Sequence, residues 1–153
     1  MAAAIWWFVS MASVALALVP AGAHLAELPH KFRLPAHDYL VVQQLYAGWS
    51  LFGTVVMGAL LSTGVLTVLV RREPRLLAVA ALAFLCILAT LIVFWVFTRP
   101  ANRATRNWTV LPDDWMQLRT RWEYSHAASA VLNLIALFAL LYAAVSQEAR
   151  LFH

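Results

Sequence analysis

Four long apolar runs, at about residues 5–25, 39–70, 76–97 and 127–145, alternate along the chain with short polar connections. A hydrocarbon core about 30 Å thick takes roughly 20 apolar residues in helical form, because backbone groups in lipid find no water to bond with. Each run meets that requirement or falls just short of it. The pattern predicts transmembrane helices at about 5–27, 39–70, 75–98 and 113–146.

The connections carry the ionisable residues. The first, 27–38, holds Glu27, His30, Lys31, Arg33, His37 and Asp38, with Pro29 and Pro35 expected to stop helix one. The second, 71–75, is a minimal turn in which Pro74 opens the next helix. The third is the longest and contains Arg99, Arg103, Arg106, Asp113 and Asp114; Pro112-Asp113-Asp114 reads as a helix start, so helix four is expected to project beyond the membrane. No repeat, low-complexity tract or linker divides the chain. The fold class is therefore all-α: one antiparallel, up-down, integral membrane four-helix bundle over residues 1–153. In such a bundle the first and third connections share a membrane face, and any chemistry belongs there.

Helical periodicity sharpens this expectation. Positions i, i+4, i+7, i+11 and i+14 stay within about 40° of one line on a 3.6-residue helix. On helix four that line holds Arg119, Glu123, His126, Ala130 and Asn133; on helix one, Ser13, Ala17, Pro20, His24 and Glu27; on helix two, Gln43, Ala47, Ser50 and Thr54, with Gln44 beside it. A charge at the centre of a membrane helix costs about 2.5–3.5 kcal/mol, so these stripes are expected to face inward. The result is a polar pocket at one end of the bundle, lined by helices one, two and four.

Composition agrees: 63% of the 153 residues are hydrophobic and 12% charged, with a mean hydropathy of +0.76, against about 25% charged in a soluble domain. The partners expected are the lipid bilayer and a small hydrophobic substrate. A net charge of +4 would suit nucleic acid in a soluble protein, but juxtamembrane Arg residues here read as orientation signals and headgroup contacts, with no nucleic acid involved. Lys31, Arg33, Arg99, Arg103, Arg106, Arg119 and Arg121 stand on one face against Arg71, Arg72, Arg75 and Arg150 on the other. That balance favours a cytoplasmic-membrane protein with residues 27–38 and 98–121 on the cytoplasmic side. Ala21-Gly22-Ala23 resembles a signal-peptide cleavage site, but no Lys or Arg precedes the long first run, which reads as a retained helix. Cys86 stands alone in the third run, as packing filler. Oligomeric state is left open.

Two short spacings carry chemical meaning. His24-x-x-Glu27 and Glu123-x-x-His126 each place an imidazole and a carboxylate on one helical face, and Glu-x-x-His is the pattern through which four-helix di-iron proteins supply ligands. His24, Glu27, Glu123 and His126 are thus the possible ligands of a metal such as iron or copper, although helices two and three add no further acid. His24 and His126 could alternatively be axial ligands of haem. In the plainest reading Arg119 or Arg121 pairs with Glu123 or Glu27, and the two histidines are bundle-facing hydrogen-bonding groups. Metal-free acid–base chemistry is the remaining reading, since a His beside a carboxylate is sufficient for it. The cofactor is therefore unknown: none, a metal, or haem. His30 and His37 read as loop residues and His153 as a tail residue.

Most of the seven Trp suit the interfacial belt, but Trp115 and Trp122 share a face of helix four and could wall a ligand pocket. With Gln43, Gln44 and Asn133 they are the expected substrate-binding residues. Gly48, Gly53, Gly58, Ser62 and Gly64 permit close packing of helix two.

The stretch Glu27-Leu28-Pro29-His30-Lys31 followed by Tyr39, Gln43, Gln44 and Tyr46, then Pro100-Ala101-Asn102 and Arg119-Thr120-Arg121-Trp122-Glu123-Tyr124-Ser125-His126, resembles the family of small four-helix membrane proteins that includes the anthrone oxygenases of aromatic polyketide pathways. The resemblance covers most of the chain. It implies the four-helix fold and oxygen insertion at an activated methylene between aromatic rings, giving a quinone. On that guide His126 is the base, Glu123 its orienting partner, and Arg121 or Asn102 the stabiliser of the developing oxyanion, with His24 and Glu27 as a second proton-transfer pair. Two other classes compete: a haem- or metal-binding redox subunit, and a non-catalytic accessory protein docking through the third connection. No chain of Asp, Glu and His crosses the full membrane thickness, which argues against a pump or channel. Phosphate-cradling loops, dinucleotide fingerprints and nucleophile elbows are absent.

Overall fold

The computed structural model describes residues 2–149, and Arg150 and His153 lie outside them. Six α-helices account for most of the chain: α1 Ala2–Lys31, α2 Ala36–Gln43, α3 Phe52–Leu69, α4 Pro74–Val93, α5 Arg99–Ala104 and α6 Trp115–Ala149. No strand occurs among the described residues. Four helical stretches, Ala3–Lys31, Trp49–Leu69, Pro74–Ala104 and Trp115–Ser146, are long and apolar enough to cross a membrane. They pack as a ring, with α1 against α3, α3 against α4, α4 against α6 and α6 back against α1. Phe8, Leu51, Leu61, Phe138 and Val145 are all more than 60% exposed on the outside, an arrangement stable only when that surface meets lipid. The protein is an integral, multi-pass four-helix bundle.

The core has two parts. The larger, around Val14, Ala59, Leu66, Ala83, Ile87, Ala136 and Leu140, fills the middle of the bundle. Gly64 lies so close to Phe84 that an added Cβ would meet its ring at 3.3 Å, so α3 and α4 approach closely there. The smaller part, around Tyr39, Ala101, Trp108 and Trp122, lies at the end bearing the first and third connections.

Helix boundaries differ from the sequence expectation in four places, each with a physical cause. First, α1 continues through Pro29 to Lys31 instead of ending near 27. Arg119 Nη1 donates to the carbonyls of Lys31 (3.4 Å) and Leu34 (3.1 Å), satisfying acceptors that a helix end leaves free. Second, the expected helix over 39–70 is broken. After α2 come a 3₁₀ turn at Gln44–Tyr46, then Gly48 at φ 86°, then a second 3₁₀ turn at Trp49–Leu51. The left-handed conformation at Gly48 lacks a Cβ penalty and turns the chain. Of the stripe expected on helix two, only Gln43 is buried; Ala47, Ser50 and Thr54 are exposed.

Third, helix three does not end near 98 but runs through a π turn at Phe94–Thr98 into α5. The cause is Pro100, which has no N–H to give the Val96 carbonyl four residues earlier and whose ring would clash with it. Arg121 Nη2 donates to that carbonyl at 2.7 Å from the adjacent α6. Fourth, α6 begins at Trp115, two residues late. The carbonyls of Pro112 and Asp114 receive the amides of Trp115, Gln117 and Leu118, and no hydrogen bond from the Asp113 or Asp114 side chain caps the helix.

Replacing Arg121 by Leu is expected to cost about 1.5–3 kcal/mol, the usual value of a hydrogen bond to a charged group. In a Pro100→Ala background, where an amide can again reach Val96, the same change should cost much less. Unfolding of the four proteins in mixed micelles checks this; equal costs in both backgrounds would refute the pairing.

Candidate functional site

The polar cluster at the connection end is built around Lys31. Its side chain is 3% exposed, yet its ammonium donates to His24 Nδ1 at 2.9 Å, lies 3.0 Å from Glu27 Oε2 and 3.6 Å from Glu123 Oε1. It also sits over the rings of Tyr46 (4.4 Å) and Trp122 (5.4 Å), both within cation–π range. Since an ammonium only donates, Nδ1 of His24 is bare and its ring proton is on Nε2. Glu123 is completely buried and accepts a second hydrogen bond from the Tyr39 hydroxyl at 3.0 Å. Glu27, with a side chain 44% exposed, accepts from the Tyr46 hydroxyl.

Local sequence explains the placement. His24, Glu27 and Lys31 fall at successive four- and three-residue steps on α1, so they share one face if the helix survives Pro29. The α2 segment and the two 3₁₀ turns then fold over that face, bringing in Tyr39, Gln43 and Tyr46. Burial and the neighbouring carboxylate push the hydroxyls of both tyrosines well above the ordinary phenol range, for Tyr39 through Glu123 and for Tyr46 through Glu27.

Behind Lys31 lies a group of rings. His24 is 4.3 Å from His126, 4.4 Å from Tyr46 and 4.8 Å from Trp122, centroid to centroid, and Trp122 is 4.3 Å from His126. His126 is partly exposed, and its ring forms no hydrogen bond among the described residues. Trp122 is held by its own Nε1 donating to Asn102 Oδ1 at 2.7 Å. Trp108 completes the wall, 5.8 Å from Trp122 and 5.1 Å from Tyr39. It is carried on three successive left-handed residues, Arg106, Asn107 and Trp108, with φ of 48°, 55° and 60°. Such backbone costs on the order of 1 kcal/mol or more per non-glycine residue; here Thr105 Oγ1 and its carbonyl tie the turn together.

Several residues singled out from sequence lie elsewhere. Arg121 is exposed on the outer face, occupied with Val96 and stacked on Phe97. Arg119 caps the end of α1 and lies over Trp115, Tyr39 and Phe32. Trp115 belongs to this outer layer, away from the imidazoles. Gln44 donates to the Trp108 carbonyl at the edge of a hollow of about 370 Å³ that also involves His37 and Leu40. Asn133 lies two turns deeper, its amide donating to the Ala17 carbonyl at 3.4 Å. Glu123 turns to Tyr39 and Lys31 and does not orient His126.

A metal does not fit this arrangement. No three of the His, Cys, Asp and Glu side chains among the described residues come close enough to hold one ion. The space between Glu27, Glu123 and His24 is taken by the Lys31 ammonium. Nor does haem fit between His24 and His126, whose rings are already in contact.

Lys31 is the residue that reading the sequence missed. It lies on the same helix-one line as Ser13, Ala17, Pro20, His24 and Glu27, one step further along, but beyond Pro29, where local rules place a loop. No family model matches the chain, and no curated protein or solved structure matches it either.

Removing the ammonium strands a carboxylate that cannot reach water. Lys31→Met is expected to destabilise the protein by about 3–5 kcal/mol, as for other broken buried ion pairs. Adding Glu123→Gln should recover much of that loss, because Glu27 can turn outward; strict additivity in mixed-micelle unfolding would contradict the pairing. The tyrosines set a second test. A phenol whose pKa is raised on folding contributes stability that is present below its unfolded pKa of about 10 and is lost as pH rises beyond it, by about 1.4 kcal/mol per pH unit per group. Alkaline unfolding should therefore steepen above about pH 10, and Tyr39→Phe should remove one such increment of slope.

Proposed function

We propose that the protein is an oxygenase-like membrane enzyme acting on a hydrophobic aromatic, anthrone-like compound. The observation that carries this reading is a partly exposed imidazole, His126, with no hydrogen-bond partner, set against Trp122 and His24 with a buried ammonium behind. An activated methylene needs a base to remove its proton and positive charge to favour the resulting enolate. His126 is the base, and Lys31, acting through His24, supplies the charge. Asn102 fixes Trp122, which serves as a flat surface for the aromatic substrate. Arg121 takes no part. The carbanion reduces dioxygen: one oxygen atom becomes the new carbonyl and the other leaves as water with the two methylene hydrogens. No resident metal or haem enters these steps. The resemblance in sequence to the anthrone-oxygenase family supports the same chemistry, and substrate reaches the site from the bilayer. The Lys and Arg balance supports an orientation with the site at the cytoplasmic face.

A second reading, a non-catalytic membrane accessory protein, draws on the fact that Lys31, Glu27 and Glu123 are already engaged with one another.

Oxygen uptake by detergent-purified protein with anthrone as probe separates the two. The first reading expects one dioxygen consumed per quinone formed, at a rate reduced by about 10²–10⁴ in His126→Ala, the range for loss of a general base. Uptake no faster than in protein-free micelles would overturn it.

A further inference from the structure

Of the three side chains whose nitrogen or oxygen meets the Lys31 ammonium, His24, Glu27 and Glu123, Glu27 alone reaches the outside. His24, Lys31 and Glu123 are 3%, 2% and 0% exposed, whereas the Glu27 side chain is 44% exposed. Glu27 Oε2, Lys31 Nζ and His24 Nδ1 form a line of contacts at 3.0 and 2.9 Å, and the His24 ring then meets His126 at 4.3 Å. We propose that Lys31 is a proton relay connecting Glu27 at the membrane face to the inner imidazole pair.

The step balances without any further reactant. Lys31 passes one proton to His24 Nδ1, becoming a neutral amine, while His24, with a proton already on Nε2, becomes imidazolium. Glu27, a carboxylate in the resting ion pair, takes a proton from water and passes it to the amine, which restores the ammonium and the carboxylate. His24 can release the Nε2 proton toward His126, so a proton enters at one ring nitrogen and leaves at the other. Run in reverse, the relay carries a proton outward. A base that removes a proton from an apolar substrate beneath packed rings needs such an outlet before it can act again. This inference rests on the reading of His126 as a base, but the relay itself operates without substrate.

Other charged or titratable groups face Lys31 from each packed element. Glu123 and His126 approach from α6, Tyr39 from α2 through Glu123, and Tyr46 from the 3₁₀ turn. Glu123 is sealed from water and its Oε1 lies further from the ammonium, at 3.6 Å. It holds the cation in place and is not the entry point. Arg119 bonds the backbone carbonyl of Lys31 and fixes the end of the helix.

Exchange of the ring N–H of His24 for deuterium tests the relay, using protein with ¹⁵N-labelled histidine and His24→Gln to assign the signal. Lys31→Arg keeps the positive charge but releases its proton far less readily, since the arginine pKa lies at least two units above that of lysine. Exchange at His24 should therefore slow roughly a hundredfold. Glu27→Gln, a change at a half-exposed position, should slow it as well while the protein remains folded. Unchanged exchange in Glu27→Gln, or in a Lys31→Arg protein with wild-type unfolding behaviour, would overturn the relay. Because no anthrone is present, that result is independent of whether oxygen uptake is observed.

Discussion

A single ammonium buried against two carboxylates organises the end of the bundle that bears the first and third connections. Removing an ion from water costs several kcal/mol even after relaxation, and only good geometry with further hydrogen bonds offsets it. Lys31 has both: Glu27 and Glu123 as charge partners, His24 as acceptor, and two ring faces beneath it. Each carboxylate in turn accepts from a tyrosine supplied by the segment between α1 and α3. That segment cannot be a straight continuation of α3, because Tyr46 must reach back to Glu27 on α1 while Tyr39 reaches Glu123 on α6. The break at Gly48 is the turn that lets this segment fold back over the cluster.

The same logic extends to the aromatic wall. Trp122 can sit over Lys31 and against His24 only if its indole N–H is satisfied, and Asn102 does this from α5. Asn102 is in reach because helix three continues past Pro100, and the helix continues because a π turn absorbs the proline and Arg121 takes the carbonyl it leaves. The three left-handed residues that follow α5 drive Trp108 into the gap between Tyr39 and Trp122. Strain in that turn is sustained by the burial of the indole, which is only 2% exposed.

Much of this was legible in the sequence, and what was not has a common cause. Apolar length alone sets four spanning helices, because lipid leaves the backbone no alternative. The inward stripe on helix four, with Glu123, Ala130 and Asn133 all buried, follows from helical periodicity. Proline and glycine are where local rules misled. Pro29 reads as an end of helix one and residue 98 as the end of helix three, yet α1 runs on to Lys31 and helix three runs on past Pro100, where Arg121 from α6 bonds the Val96 carbonyl. Gly48 read as a packing residue and is instead a turn. At Pro100 the effect is tertiary: the arginine that takes the freed carbonyl lies 25 residues from it in the chain. Stopping helix one at Glu27 also concealed Lys31, so the His24–Glu27 pair was seen without the cation that organises it.

The two Glu/His spacings therefore had a sound electrostatic basis but the wrong occupant. Two carboxylates and an imidazole nitrogen converging in a low-dielectric site require positive charge, and a sequence pattern cannot tell whether it comes from a metal or from a side chain. The distinction lies in what the acceptors can do afterwards. A metal would hold the imidazole lone pair permanently in coordination. An ammonium holds the same lone pair through a proton, and a proton can move along the bond that carries it. Filling the centre of the cluster with Lys31 leaves His24 engaged yet still able to change its protonation, with the half-exposed Glu27 as its route to water.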